Sequence, residues 1–114
     1  MIAHLVLLQP RPELTLAQRR DGVAALTRAA AGLADVRRFR IGRRVKHGRP
    51  GYERSMTVDY EYLLLFEFDD VDALTRYLAA PAHGVLGEMF STATSAALAY
   101  DYELVDAEEA GRFL

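Results

Sequence analysis

The chain contains no cysteine, which removes disulfide frameworks, thiolate nucleophiles and cysteine metal sites together and suits a reducing cytoplasm. It also lacks an excess of basic charge. Fourteen lysines and arginines against sixteen aspartates and glutamates leave a net charge of −2, so no overall positive field draws the chain to nucleic acid or to an anionic membrane. Long apolar runs are missing as well. The segment Met1 to Leu8 has no basic leader, carries His4 in its middle and falls far short of the roughly 18 apolar residues of a spanning helix. It reads as a strand and not as a signal. No His-x-x-x-His pair, glycine-rich phosphate loop or nucleophile elbow occurs, so no metal, nucleotide or other cofactor is expected.

What is present is ordinary globular material: 114 residues, 51% hydrophobic and 26% charged, the size of one domain. A chain this short leaves a large share of its surface exposed when folded, which favours pairing through a second apolar face.

Ile2-Ala-His-Leu-Val-Leu-Leu8 is a nearly continuous apolar run, as in a central strand covered on both faces. Pro10 and Pro12 end it. Thr15 and Gln18 have the spacing of a capping box, and Leu16, Val23, Leu26, Ala30 and Leu33 follow at helical intervals, with Gly32 as the stop. Val36 to Val45 alternates loosely, Phe39 and Ile41 opposing Arg38 and Arg40, as in an edge strand. The polar stretch Lys46 to Val58 is a long hairpin loop, either a functional lid or simply mobile, and Pro50-Gly51 suits the centre of a type II turn.

Asp59 to Phe68 is the strongest strand signal: Tyr60, Tyr62, Leu64, Phe66 and Phe68 share one face, and Leu63 and Leu65 take the other. Asp69 or Asp70 can cap the next helix, whose stripe is Val71, Leu74, Tyr77 and Leu78, with Asp72 placed four residues before Arg76 to pair with it. Pro81 breaks that helix, and Ala82, Leu86, Met89, Phe90 and Ala93 form a second stripe. Ala97 to Val105 is the last strand, with Asp101 and Glu103 free to face the arginines of the second. Residues 1–106 make up the domain, and 107–114 form a tail whose Phe113 and Leu114 are frayed or packed on a partner.

The order of elements predicts an α+β, ferredoxin-like βαββαβ sandwich with a four-stranded antiparallel sheet and helices on one face. Its even-numbered face, with His4, Tyr60, Tyr62 and Phe66, looks toward the helices and holds any pocket. Leu5, Leu7, Leu63 and Leu65 occupy the other face. Exposing four such side chains forfeits several kcal/mol, at about 1.5–3 kcal/mol each, a loss that a sheet-to-sheet homodimer removes.

Three histidines could carry chemistry. His4 is either a core histidine bonded to backbone or a pocket residue. His83, just after Pro81, is either a plain helix-start residue or a general base. His47 sits in the polar loop and is solvated. Asp69, Asp70 and Asp72 suit helix capping better than a cation site. Seven of the fourteen basic residues crowd into Arg37 to Arg49, which raises RNA as a rival ligand. Against it, the first strand has no aromatic and the third no glycine, and Glu61, Glu67, Asp101 and Glu103 are available to pair with the arginines.

The opening Ile2 to Leu8, Phe66-Glu-Phe-Asp-Asp-Val-Asp-Ala-Leu74, Tyr77-Leu-Ala-Ala-Pro-Ala-His83 and the closing Tyr100-Asp-Tyr-Glu103 together resemble the stress-responsive dimeric A/B barrel domain, or Dabb, family. That resemblance implies a homodimer whose two sheets form a barrel, with a cleft between the sheet and helices of each subunit. It further implies, by likeness to plant polyketide cyclases of the family, an acid/base pair formed by Tyr77 and His83 in a pocket that His4 and Tyr62 also line; Tyr60 and Phe66 join the pocket residues by their place on the even-numbered face. Tyr62 and Ala80 stand where relatives carry further histidines. The function so implied is cyclase, lyase or cofactor-free oxygenase chemistry on an apolar, oxygen-bearing or polyketide-like substrate. The competing class is a non-catalytic dimer serving stress tolerance through protein contacts.

Overall fold

Four runs of two-residue alternation and three of helical spacing account for the main elements of the computed structural model, which describes residues 1–114. In chain order these are β1 (Ile2–Pro10), α1 (Leu16–Ala31), β2 (Arg38–Arg43), β3 (Tyr62–Phe68), α2 (Val71–Ala79), α3 (Pro81–Ala93) and β4 (Thr94–Glu103), with short 3₁₀ segments at Tyr52–Ser55 and Ala107–Phe113. The strands form one antiparallel sheet in the order β2-β3-β1-β4, the ferredoxin-like arrangement. No helix is long and apolar enough to cross a membrane.

Register sorts the side chains. Strand β1 pairs with β3 from Ile2 opposite Phe68 to Leu8 opposite Tyr62, and with β4 so that His4 lies opposite Asp101. Ile2, His4, Val6, Leu8, Leu64, Phe66 and Phe68 therefore face the helices and are all buried. They pack there on Leu26, Ala73, Leu74, Tyr77 and Leu86. Leu5, Leu7, Leu63 and Leu65, one step out of phase, lie on the outer face and are half-buried. Only 14 of 114 residues are buried, so one layer of helices on one face of the sheet encloses a small core. The Cα radius of gyration is 15.8 Å, above the roughly 13 Å of a compact chain of this length.

Local chemistry fixes the ends of the elements. The Thr15 hydroxyl accepts from the Gln18 N–H at 3.1 Å while the Thr15 N–H donates to the Gln18 side chain at 2.8 Å, the reciprocal capping box. Asp70 caps α2 by accepting from the Ala73 N–H at 2.8 Å. Ala80 separates α2 from α3 in an extended conformation, φ −70° and ψ 142°, the region to which a following proline confines a residue. Pro81 opens α3 at a position where no N–H is needed. The Pro50-Gly51 turn is type II, with Gly51 at φ 79° and the Tyr52 N–H donating to the Arg49 carbonyl at 3.1 Å.

Several boundaries and contacts differ from the sequence expectation. β2 starts at Arg38 because the Val36 N–H turns back to the Leu33 carbonyl at 3.2 Å. β3 starts at Tyr62, since the Glu61 N–H is taken by the Gln9 side chain at 3.0 Å and Lys46 and Arg44 hold Asp59 in the loop. That ion cluster, Lys46 foremost, keeps the Asp59 carboxyl below the ordinary range. β4 begins at once after α3, with the Thr94 hydroxyl donating to the Phe90 carbonyl at 2.6 Å. Asp101 and Glu103 do not meet the arginines of β2, because β2 and β4 are opposite edges of the sheet. Glu67 takes Arg40, Glu61 takes Arg19, and Glu103 takes Arg112. Arg76 pairs with Asp35 and not with Asp72. The tail is not frayed chain but a 3₁₀ segment, with Phe113 and Leu114 exposed. Val71 and Leu78 also stay exposed; at 100° per residue they stand about 90–110° round α2 from the direction shared by Ala73, Leu74 and Tyr77.

Leu64 is 2% and Val71 59% exposed. Leu64→Ala is expected to cost about 2–5 kcal/mol of unfolding free energy, and Val71→Ala no more than about 0.5 kcal/mol, as read by urea titration. Equal costs would show that the inner face is not the core.

Candidate functional site

The inner face of the sheet admits one strongly polar group at its centre, His4. β1 sets it between Phe66 on β3 and Asp101 on β4, and its Nδ1 lies 2.6 Å from an Asp101 carboxylate oxygen. His4 is 5% exposed, so this contact satisfies a nitrogen that burial would otherwise leave costly. With Asp101 as carboxylate, Nδ1 carries the proton and donates, which leaves the lone pair on Nε2.

Tyr77 on α2 and His83 in the first turn of α3 close over this dyad. The ring centres are 5.6 Å apart for His4 and Tyr77, 5.0 Å for Tyr77 and His83, and 6.3 Å for His4 and His83, all near edge-to-face. Phe66 stacks on Tyr77 at 5.4 Å, and Phe68 lies 5.2 Å from it. The break at Ala80 and Pro81 makes the cluster possible, because it turns α3 so that His83 comes back against a residue six positions earlier. Burial first, and the negative charge of Asp101 second, push the Tyr77 phenol up to about 12. The phenol thus stays a neutral hydrogen-bond donor throughout the physiological range. No protein group bonds to its hydroxyl, and no enclosed side-chain N or O atom lacks a partner, so that hydroxyl reaches accessible surface.

Toward the other end of β1, and sharing no lining residue with the polar cluster, is an apolar cavity of about 220 Å³ between the sheet, α1 and α3. Leu8, Leu26, Ile41, Tyr62, Leu64 and Phe90 wall it, and Gln18 and Arg19 of α1 stand among its lining residues. That volume exceeds the ~150 Å³ of an apolar cavity able to hold benzene.

The structure therefore brings together His4, Phe66, Tyr77 and His83. It places Tyr62 in the apolar cavity next door and Tyr60 elsewhere altogether. Tyr60 precedes β3 and lines a groove at the end of the outer face with Leu7, Met56, Val58 and Leu63. The loop before β3 thus lies against the outer face, away from the cleft. His47 meets Tyr52 edge-to-face at 4.3 Å within that loop. Sequence reasoning missed Asp101, which it spent on the arginines of β2. The available signal was alternation: Ala97, Ala99 and Asp101 share a side of β4 opposite Leu98, Tyr100 and Tyr102.

Residues 2–104 match the model of the stress responsive A/B barrel domain, Dabb. The chain belongs to the Dabb family. Similar solved structures include a dimeric ferredoxin-like protein of unknown function from Jannaschia sp. CCS1, 28% identical with TM-score 0.69 over 90% of this chain and 98% of that one. A Dabb family protein from Mesorhizobium loti is 19% identical, TM-score 0.73, over 91% and 96% of the two chains. A hydroxynitrile lyase from Passiflora edulis shares the fold at 13% identity, TM-score 0.77, over 93% and 94%. No curated protein matches the sequence.

The raised phenol of this Dabb chain has a measurable consequence. A folded value near 12, above the unfolded value of about 10, gives a stabilisation that is complete below pH 10 and lost as pH rises through 12. Ultraviolet phenolate titration should therefore lose its last step, near pH 12, in Tyr77→Phe, and wild type should lose more stability than the variant over that window. Superimposable titrations of the two proteins would show that Tyr77 is not buried as described.

Proposed function

We propose that this Dabb protein is a homodimeric small-molecule-binding barrel that performs general acid/base chemistry on an apolar, oxygen-bearing compound. The observation that carries the proposal is the His4–Asp101 contact of 2.6 Å set against a phenol held neutral, beside an apolar cavity. The Asp101 carboxylate accepts from Nδ1 and so fixes the tautomer that leaves the Nε2 lone pair free, and His4 Nε2 is the base that removes a proton next to a carbonyl. Tyr77 donates its hydroxyl hydrogen bond to the carbonyl oxygen as negative charge develops there, a role that a raised phenol retains. The His4 imidazolium gives the proton back to the product, and His83, which has no acidic partner and whose ring centre stands 6.3 Å from that of His4, positions the substrate oxygen. The apolar body of the substrate lies toward Leu64 and Tyr62. Cyclisation of a short polyketide-like chain needs this pattern, lyase cleavage has the same base take a hydroxyl proton as the carbon–carbon bond breaks, and a hydroxynitrile lyase on the same fold supports the lyase alternative.

The homodimer forms through the outer sheet face, where Leu5, Leu7, Leu63 and Leu65 remain half-buried. Relatives of this fold described as dimeric, the Jannaschia protein among them, support that assembly.

A thermal-shift screen of polyketide-like, quinol and cyanohydrin compounds tests the site, because a ligand that binds only the folded protein raises its melting temperature. Compounds that stabilise wild type should fail to stabilise His83→Ala. For any compound turned over, Tyr77→Phe should lower kcat by about 10²–10³-fold and Asp101→Asn by about 10²–10⁴-fold, with KM little changed. Full turnover by all three variants would leave the acid/base reading without support and return the chain to the class of non-catalytic dimers.

A further inference from the structure

Helix α1 buries only Leu26, and beneath it, against the sheet and α3, lies the apolar cavity of about 220 Å³. Gly22 lines that cavity from the middle of the helix, and a Cβ added there would meet nothing within 4 Å. Glycine disfavours a helix interior more than any residue except proline. The position thus gives up helix stability and keeps the space beneath it open. Val23 and Ile41 also line the cavity and are exposed, which puts its mouth between α1 and β2.

One charge stands at this cavity. Arg19 is the single charged residue among those that line it, and its side chain is 31% exposed. The carboxylate that approaches its guanidinium belongs to Glu61, at 3.6 Å, beyond the ordinary range of an N–H···O hydrogen bond. Glu61 is rooted where it is, since its N–H donates to the Gln9 side chain at 3.0 Å and its carbonyl accepts from the Arg44 N–H at 2.8 Å. Arg19 therefore brings unfilled donors to a cavity whose walls are mostly apolar.

We infer that the cavity binds an apolar monocarboxylic acid, with its hydrocarbon body under α1 against Leu26, Leu64 and Phe90 and its carboxylate on the Arg19 guanidinium in place of Glu61. The planar fork of a guanidinium matches a carboxylate through two charge-assisted hydrogen bonds. Arg19 is also near enough to solvent for the acid group to keep part of its hydration, so the ligand buries its chain without burying an unpaired charge. An alcohol of the same length gains the burial and not the ion pair, and an amine meets a like charge. The inference goes beyond the acid/base reading. Gln9, which holds the Glu61 N–H, is five residues along β1 from His4, about 17 Å at strand spacing, so the bound carboxylate takes no part in proton transfer.

The test is isothermal titration of the full chain near neutral pH with octanoate, octanol and octylamine. Wild type should bind octanoate roughly tenfold tighter than octanol and octylamine most weakly. Arg19→Gln should erase that preference by weakening octanoate alone, with octanol within a few-fold of wild type, a split that misfolding does not produce. Glu61→Gln should tighten octanoate several-fold and leave octanol unchanged, because the competing carboxylate is gone. Gly22→Met, a better helix former that fills the cavity from above, should abolish binding of both without lowering the melting temperature. Octanoate and octanol bound alike by wild type, no binding of either, or octanoate binding that survives Arg19→Gln or Gly22→Met overturns the inference. Octanoate binding lost in His83→Ala and kept in Arg19→Gln puts the acid at the polar cluster, which also overturns it. None of these readouts depends on turnover, so the acid/base reading stands or falls separately.

Discussion

Strand β1 has a partner on each side and apolar residues on both of its faces, and everything else is placed relative to it. Side-chain direction alternates with a period of two, so a slip of one residue would exchange Ile2, His4, Val6 and Leu8 with Ala3, Leu5, Leu7 and Gln9. Such a slip would bring the outer leucines under the helices and turn His4 out of the site. The register is held because Phe66 and Phe68 come opposite His4 and Ile2, and these aromatic rings fit only the space beneath Tyr77 and Leu74. The site is thus a consequence of how the core is packed, since the same ladder that buries the phenylalanines lines up His4 with Asp101.

A buried histidine and a buried tyrosine side by side are an unusual core composition, and their cost is limited in two ways. His4 keeps one nitrogen on Asp101, whose own carboxylate is still partly in contact with solvent. Tyr77 contributes a large apolar ring that packs on Phe66, Phe68 and His83, while its hydroxyl remains at accessible surface. Burial and the nearby negative charge both oppose ionisation of that hydroxyl. The arrangement separates two roles that a single environment could not support. One imidazole has a carboxylate behind it that fixes its orientation, and one phenol has the same carboxylate nearby and loses acidity.

The fold class, the succession of elements along the chain and the division of the sheet into an inner and an outer face were legible in the sequence, because period-two and period-3.6 patterns and the Thr15, Asp70 and Pro81 signals are local. The polar cluster was legible only in part. His83 and Tyr77 are six residues apart across a proline, which marks them as neighbours, and the parity of β1 places His4 on their side. Asp101 is 97 positions from His4, and no local pattern records that β1 and not β2 is the neighbour of β4. For the same reason the arginines of β2 were matched with acids on the far edge of the sheet. Tyr60 was assigned to the inner face by extending the alternation of β3 past its true start, where the Gln9 side chain and the Arg44 ion cluster take the chain out of the ladder.

Strand β4 joins the two faces physically. Tyr100 and Tyr102 point outward and Asp101, between them, points inward to His4. β4 is also an edge strand, held by β1 on one side only, and an unpaired edge is the part of a sheet that opens most readily. Anything that covers the two tyrosines immobilises the backbone that carries the carboxylate, and so narrows the range of distances over which Asp101 meets His4 Nδ1. In the acid/base reading proposed above, whatever covers the outer face is therefore linked to His4 through one three-residue segment, residues 100–102, with no change of fold needed to transmit the effect.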